Sequence, residues 1–163
     1  MSERYPSYHY VHQVEPNPLQ AELLTVIAGQ QERLLELREG RFTRSQDVEK
    51  ALQPALHQAG FMHSVTNRQV EGLFSLDSDF ELDFWHPSRR IALEVEKGKH
   101  FNIWRDVCKF AESTLIDHAV LIIPCEKANQ KGQCERIYLS TVDSLANVVR
   151  LYLGLKSMLV IGY

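Results

Sequence analysis

Residues 80–97 leave this chain the fewest structural options. Apolar and polar side chains alternate there with period two on both sides of a His86-Pro87-Ser88-Arg89 turn, the pattern of a β-hairpin. Phe80, Leu82 and Phe84 share one face of the first strand, and Asp79, Glu81, Asp83 and Trp85 share the other. In the second strand Ile91, Leu93 and Val95 share one face, and Ala92, Glu94 and Glu96 the other. Pairing Trp85 with Arg90 sets 84 against 91, 82 against 93 and 80 against 95, so the apolar residues line one side. The carboxylates then line the other: Glu81 faces Glu94, Asp79 faces Glu96, and Asp83 lies diagonal to Glu94. Like charges directly opposite on a sheet destabilise it. A hard cation relieves that repulsion, and Mg²⁺ needs only one or two carboxylates besides water and phosphate oxygens. A solvated outer face would show the same alternation, so the hairpin alone leaves both readings open.

The flanking sequence supplies helices. Asn17 as N-cap, Pro18 at the first helical position and Gln20 as capping-box partner open a helix whose stripe is Leu19, Leu23, Val26, Ile27, Leu34 and Leu37, stopped by Gly40. A second starts near Thr43 with Gln46 as box partner, carries Val48, Leu52, Ala55, Leu56 and Ala59, and ends at Gly60. Residues 70–75 read as a strand, followed by an Asp77-Ser78 turn and the hairpin. Residues 102–116 read as a helix capped by Asn102, with Ile103, Val107, Phe110, Ala111 and Leu115 inward. The apolar run 118–124 fits a strand buried on both faces. A polar loop over 126–135, a helix over 140–152 and a strand over 158–161 complete the chain. Residues 1–16, rich in Tyr and His without period, read as an arm laid over the surface.

A chain of 163 residues fits one domain with one continuous core. No apolar run reaches the ~18 residues of a membrane span, and the N-terminus lacks the pattern of a signal peptide, so a cytoplasmic location is expected, with no membrane partner. Cys108, Cys125 and Cys134 lack CxxC spacing, which indicates neither a disulfide framework nor a zinc knuckle. The net charge of −3 argues against a general nucleic-acid coat protein but leaves room for a local basic patch.

The order of elements around residues 43–125 resembles the αβββαβ core of the PD-(D/E)XK nucleases. In that family an Asp ends the second core strand and an acidic-x-Lys triplet lies on the third. Here Asp83 stands in Leu82-Asp83-Phe84, and Glu94-Val95-Glu96 follows after a short turn. Two departures stand out: no Pro precedes Asp83, and Glu96 replaces the triplet lysine, as in a restriction-endonuclease subgroup with Glu-x-Glu. The resemblance implies an α/β, restriction-endonuclease-like domain over residues 1–163. Its central mixed sheet would be flanked by helices, with an additional N-terminal helix, a C-terminal helix and strand, and the catalytic core at 43–125. It implies hydrolysis of DNA phosphodiester bonds with Mg²⁺, or Mn²⁺ in its place, and a homodimer by analogy.

On that reading Asp83 and Glu94 ligate the metal, and Glu96 orients or deprotonates the attacking water. Lys97 directly follows and joins Asp83, Glu94 and Glu96 as a catalytic candidate, although strand alternation points it away from the acidic face. The family often adds an acid from the first core helix, and Glu49 is the candidate. Lys97, Lys99, Arg105 and Lys109 make the start of the following helix basic, and Arg105 and Lys109 share a helical face. With His100 they are candidate phosphate ligands, since phosphate contacts supply most nucleic-acid affinity. The solvated-face reading stays open for Glu49, His100, Arg105 and Lys109. Trp104 and Phe110 read as core. The alternative for the whole chain is a nuclease-fold module without catalysis that binds nucleic acid or protein, which the missing lysine and the acidic pI would suit. A scaffold using the aromatic arm is a third.

Overall fold

A computed structural model describes residues 5–40, 42–75, 78–129 and 131–163. A six-stranded mixed sheet runs in the order β1-β8-β5-β4-β3-β2, with helices on both faces. In chain order its strands are β1 (Ser7–Gln13), β2 (Met62–Val65), β3 (Leu82–His86), β4 (Ile91–Val95), β5 (His118–Ile123) and β8 (Ser157–Gly162), while β6 (Lys127–Ala128) and β7 (Cys134–Glu135) form a separate two-stranded hairpin. The helices are α1 (Gln20–Gly29), α2 (Gln31–Glu39), α3 (Ser45–Gln58), α4 (His100–Glu112) and α5 (Ile137–Ala146), followed by a 3-10 turn at Val149–Tyr152. This is the expected α/β architecture. Strands β4, β5 and β8 run parallel to one another and are buried along their whole length, which explains their near-continuous apolar runs.

Each face of the sheet carries its own core. Phe84, Ile91, Leu93, Val95, Val120 and Ile122 pack under α1, α2 and α3, against Leu23, Ile27, Leu34, Val48, Leu52 and Leu56. Trp85, Ala92, Ala119 and Leu121 pack under α4 and the C-terminal elements, against Ile103, Val107, Phe110, Leu145 and Tyr152. The acid-bearing side of the hairpin is therefore roofed by α4 instead of open to water. Phe80 and Leu82 depart from the one-sided pattern and join the α4-side cluster; Phe80 precedes the strand, which begins at Leu82.

Several expectations need correction. The N-terminal arm is part of the sheet: β1 is an edge strand antiparallel to β8. The first long helix is two, broken at Gln30. Asn17 is not the N-cap, which is Leu19; it makes an Asx turn just before it, its Oδ1 accepting from Leu19 N at 2.9 Å, while Tyr10 Oη donates to Gln20 Oε1 at 2.7 Å. Helix α3 is boxed by Asp47, whose carboxylate accepts from Arg44 N at 2.8 Å; Thr43 instead donates to Gly40 O at the end of α2. Residues 70–75 are not a strand. Val70 N and Leu73 N make local turn bonds, and the Asn67 side chain bonds both the N–H and the carbonyl of Phe74, so this segment's polar groups need no ladder. Met62–Val65, whose Met-His-Ser-Val sequence shows no alternation, takes the place beside β3. Asp77, in the expected turn, lies outside the described residues. The polar loop after β5 contains the β6–β7 hairpin.

Candidate metal and nuclease site

The hairpin register differs from the expected one by a single step of two. Phe84 pairs with Leu93, Trp85 with Ala92 and His86 with Ile91. A shift of two keeps every side chain on its face. Continued by one pair, the register places Asp83 directly across from Glu94, not diagonal to it, and Val95 N donates to Asp83 Oδ2 at 2.8 Å. Asp79 and Glu81 precede the strand and are exposed, so they do not face Glu96 and Glu94 as expected.

What gathers instead is a buried group fed by four elements. Glu94, on β4, is 2% exposed, and Glu96 just beyond it is buried. Helix α4 lays Asp106 and Lys109 over them. Lys109 Nζ stands 3.0 Å from Glu94 Oε2 and 2.9 Å from Asp106 Oδ1. Glu94 Oε1 is buried and meets no N–H or hydroxyl donor. From α3, Glu49 is buried with its Oε2 3.1 Å from His63 Nε2 of β2, and its charge acts on Asp83.

The electrostatics follow from burying so many carboxyls around one ammonium. Burial, and then the charge of Glu49, push Asp83 up to about 7, against the Val95 N–H and Lys109. Burial and Asp106 push Glu96 up to about 7, against a hydrogen bond with Asn102. Burial, then Asp83 and Asp106, hold Glu94 well above the carboxylate range despite Lys109. Asp106 is likewise raised by burial. Burial works to lower Lys109, but Glu94 and Asp106 prevail and raise it. Mutually opposed, partly protonated carboxyls of this kind cluster at functional sites.

The remaining candidates separate. Lys97 is buried on the far side, as strand alternation requires; its ammonium donates to Leu37 O at 2.7 Å, Thr43 O at 3.2 Å and Thr43 Oγ1. Those acceptors occupy its donors, which leaves it no part in the acidic group. Lys99, His100 and Arg105 are exposed at the start of α4. Lys109 does not share their solvated face but points into the carboxyls. Asp106 and His63 were not among the expected site residues. Asp106 had a signal: it falls on the Ile103, Val107, Phe110 stripe, where a carboxylate at an inward position needs a partner. His63 had none, lying in a strand without alternation.

The donors are hard oxygens, and Glu94 Oε1 meets no N–H or hydroxyl donor, its carboxyl sharing a hydrogen bond with that of Asp106, so the set would suit Mg²⁺ or Mn²⁺. Among the described residues no three His, Cys, Asp or Glu side chains converge into a ready cage. The fit is to a two-carboxylate site, Asp83 and Glu94, completed by water and substrate oxygens.

A six-stranded mixed sheet between helical layers, with opposed acids on adjacent antiparallel strands and a helix closing over them, is consistent with a restriction-endonuclease-like fold. A family model described as "Putative halobacteria restriction endonuclease" matches residues 1–163, and the chain belongs to that family. No curated protein and no solved structure matches it. Among the described residues, no helix is long and apolar enough to cross a membrane.

Proposed function

We propose that this chain is a divalent-metal-dependent endonuclease that hydrolyses phosphodiester bonds in DNA. The observation that carries the reading is the Asp83–Glu94 pair, two opposed carboxyls within a buried acidic group that Asp106 completes. Membership of a restriction-endonuclease family supports it. Asp83 and Glu94 would hold the ion, with Glu49 within electrostatic reach of Asp83. The ion would supply charge stabilisation and a more acidic bound water. Glu96, tied to Asn102, would orient that water and take its proton. Lys109, its ammonium held by Glu94 and Asp106, would supply the positive charge that the strand motif lacks. Lys99, His100 and Arg105 would bind flanking phosphates.

Purified protein should cleave plasmid DNA with Mg²⁺ or Mn²⁺ and not with EDTA. Glu94→Ala and Asp83→Asn should each lose at least ~10²-fold in rate, as expected when several kcal/mol of metal-based stabilisation disappear. Undiminished cleavage by both variants would sink the assignment. Binding of DNA without cleavage under any metal would favour the non-catalytic module.

A further inference from the structure

Two phenylalanines near residues 96–99 stand largely in solvent, one at the start of α4 and the other between α2 and α3. Phe101 is 80% exposed and Phe42 is 95% exposed. Only Phe101 borders the acidic group through its neighbour; Phe42 borders Lys97, which follows Glu96 in the chain. Asn102, next to Phe101, hydrogen-bonds Glu96, and Thr43, next to Phe42, accepts from the Lys97 ammonium. Phe42 and Lys97 also line a cleft of about 930 Å³ between the end of α2 and the β6–β7 hairpin, together with the cations Arg38 and Lys127 and the acids Glu39 and Glu126. The other aromatics of α4 behave differently: Phe110 is buried and Trp104 packs on the core, so Phe101 faces outward by position on the helix, not for lack of a core to join.

The ground around Phe101 is basic. Lys99, His100 and Arg105 are exposed beside it, Arg105 lies four residues on along the same helical face, and the first turn of α4 holds no acid. Among the described residues neither Lys99 nor Arg105 is in an ion pair. Exposed cations interleaved with exposed aromatic rings match a strand of unpaired nucleotides: the cations meet phosphates, and the rings meet base faces that a duplex would keep stacked.

We propose that Phe101 and Phe42 stack on unpaired bases on either side of the scissile phosphate, so that the substrate is DNA with single-stranded or melted nucleotides at the cut. The proposal rests on the nuclease reading for the position of the cut, but the stacking itself needs no metal. It is therefore tested by fluorescence anisotropy in EDTA, with a short labelled single-stranded oligodeoxynucleotide and with its duplex. Phe101→Ala should weaken single-strand binding ~5- to 100-fold, the range for one lost base stack, and change duplex binding less than ~2-fold. Phe101→Trp should keep wild-type affinity, and Phe42→Ala/Phe101→Ala should lose more than either single variant. Arg105→Ala should lower the salt slope of log K by ~0.7 on the single strand. Equal losses on both probes, no loss on either, or no binding of the single strand by wild type would each overturn the proposal. Cleavage by wild type with single-strand binding unaffected in the Phe variants would remove the stacking and leave the nuclease. The expected binding losses in a protein that never cleaves would do the reverse.

Discussion

Lys109 sets the charge balance of the site. It is 5% exposed and ion-paired to both Glu94 and Asp106, and its charge reaches Asp83, while Glu96 feels the charge of Asp106. Removing one partner of a buried pair strands the other charges in a poor solvent. Lys109→Met keeps the length of the stem and removes the ammonium. In EDTA near pH 8 it should cost ~3–5 kcal/mol of stability in urea unfolding, the usual consequence of breaking a buried pair. The deficit should shrink at lower pH, where the carboxyls protonate. Millimolar Mn²⁺ should restore part of it by binding the folded state, as a second cation in the same place. A loss that neither acid nor Mn²⁺ relieves would mean that Lys109 serves packing alone.

At the level of elements, the site depends on how α3 hands the chain to β2 and β3. Gly60 ends α3 with φ +94, and a Cβ there would stand 2.8 Å from His86 Nε2. His86 is itself buried, edge-on to Phe61 with ring centroids 5.1 Å apart, so it has little room to retreat. Gly60→Ala should therefore cost ~1–3 kcal/mol, the range for a side chain forced into a left-handed backbone. The loss should appear as a lower urea midpoint at unchanged slope. A midpoint equal to that of wild type would show that the turn relaxes freely. The same hand-over sets Glu49 and His63 3.1 Å apart, one on α3 and the other on β2.

The whole molecule should report its acidic centre through pH. Asp83 and Glu96 are pushed up to about 7 by burial and by neighbouring acids, whereas unfolded carboxylates titrate near ~4. Between those values the folded chain holds more protons than the unfolded one, so these groups favour folding at low pH and lose that advantage as pH rises through about 7. In EDTA the melting temperature should fall between about pH 5 and about pH 8, and Asp83→Asn should fall less. Metal binding needs deprotonated carboxylates, so stabilisation by Mn²⁺ should grow over the same interval and flatten the wild-type curve. A metal-free melting temperature that rises across this interval in wild type and variant alike would contradict the raised values.

Period-two alternation at 82–85 and 91–95, helical stripes such as Val48, Leu52 and Leu56, and the apolar run 118–123 are local patterns. They determined the hairpin, the helices and the parallel interior, because side-chain direction follows from backbone geometry alone. Face membership of Asp83, Glu94 and Glu96 was legible for the same reason, and it survived the two-residue shift in register. The shift itself, which sets Asp83 opposite Glu94, came from how the sheet closes around the turn. Distant groups competing for the same place decided the rest. Asn67 satisfied the backbone of residues 70–75 and let Met62–Val65 take the strand position. Strand β8 recruited the N-terminal segment as its edge partner. Helix α4 turned Lys109 inward to the carboxyls while the end of α2 took Lys97. Which lysine meets the acids is a question of packing across some tens of residues, and no local period encodes it.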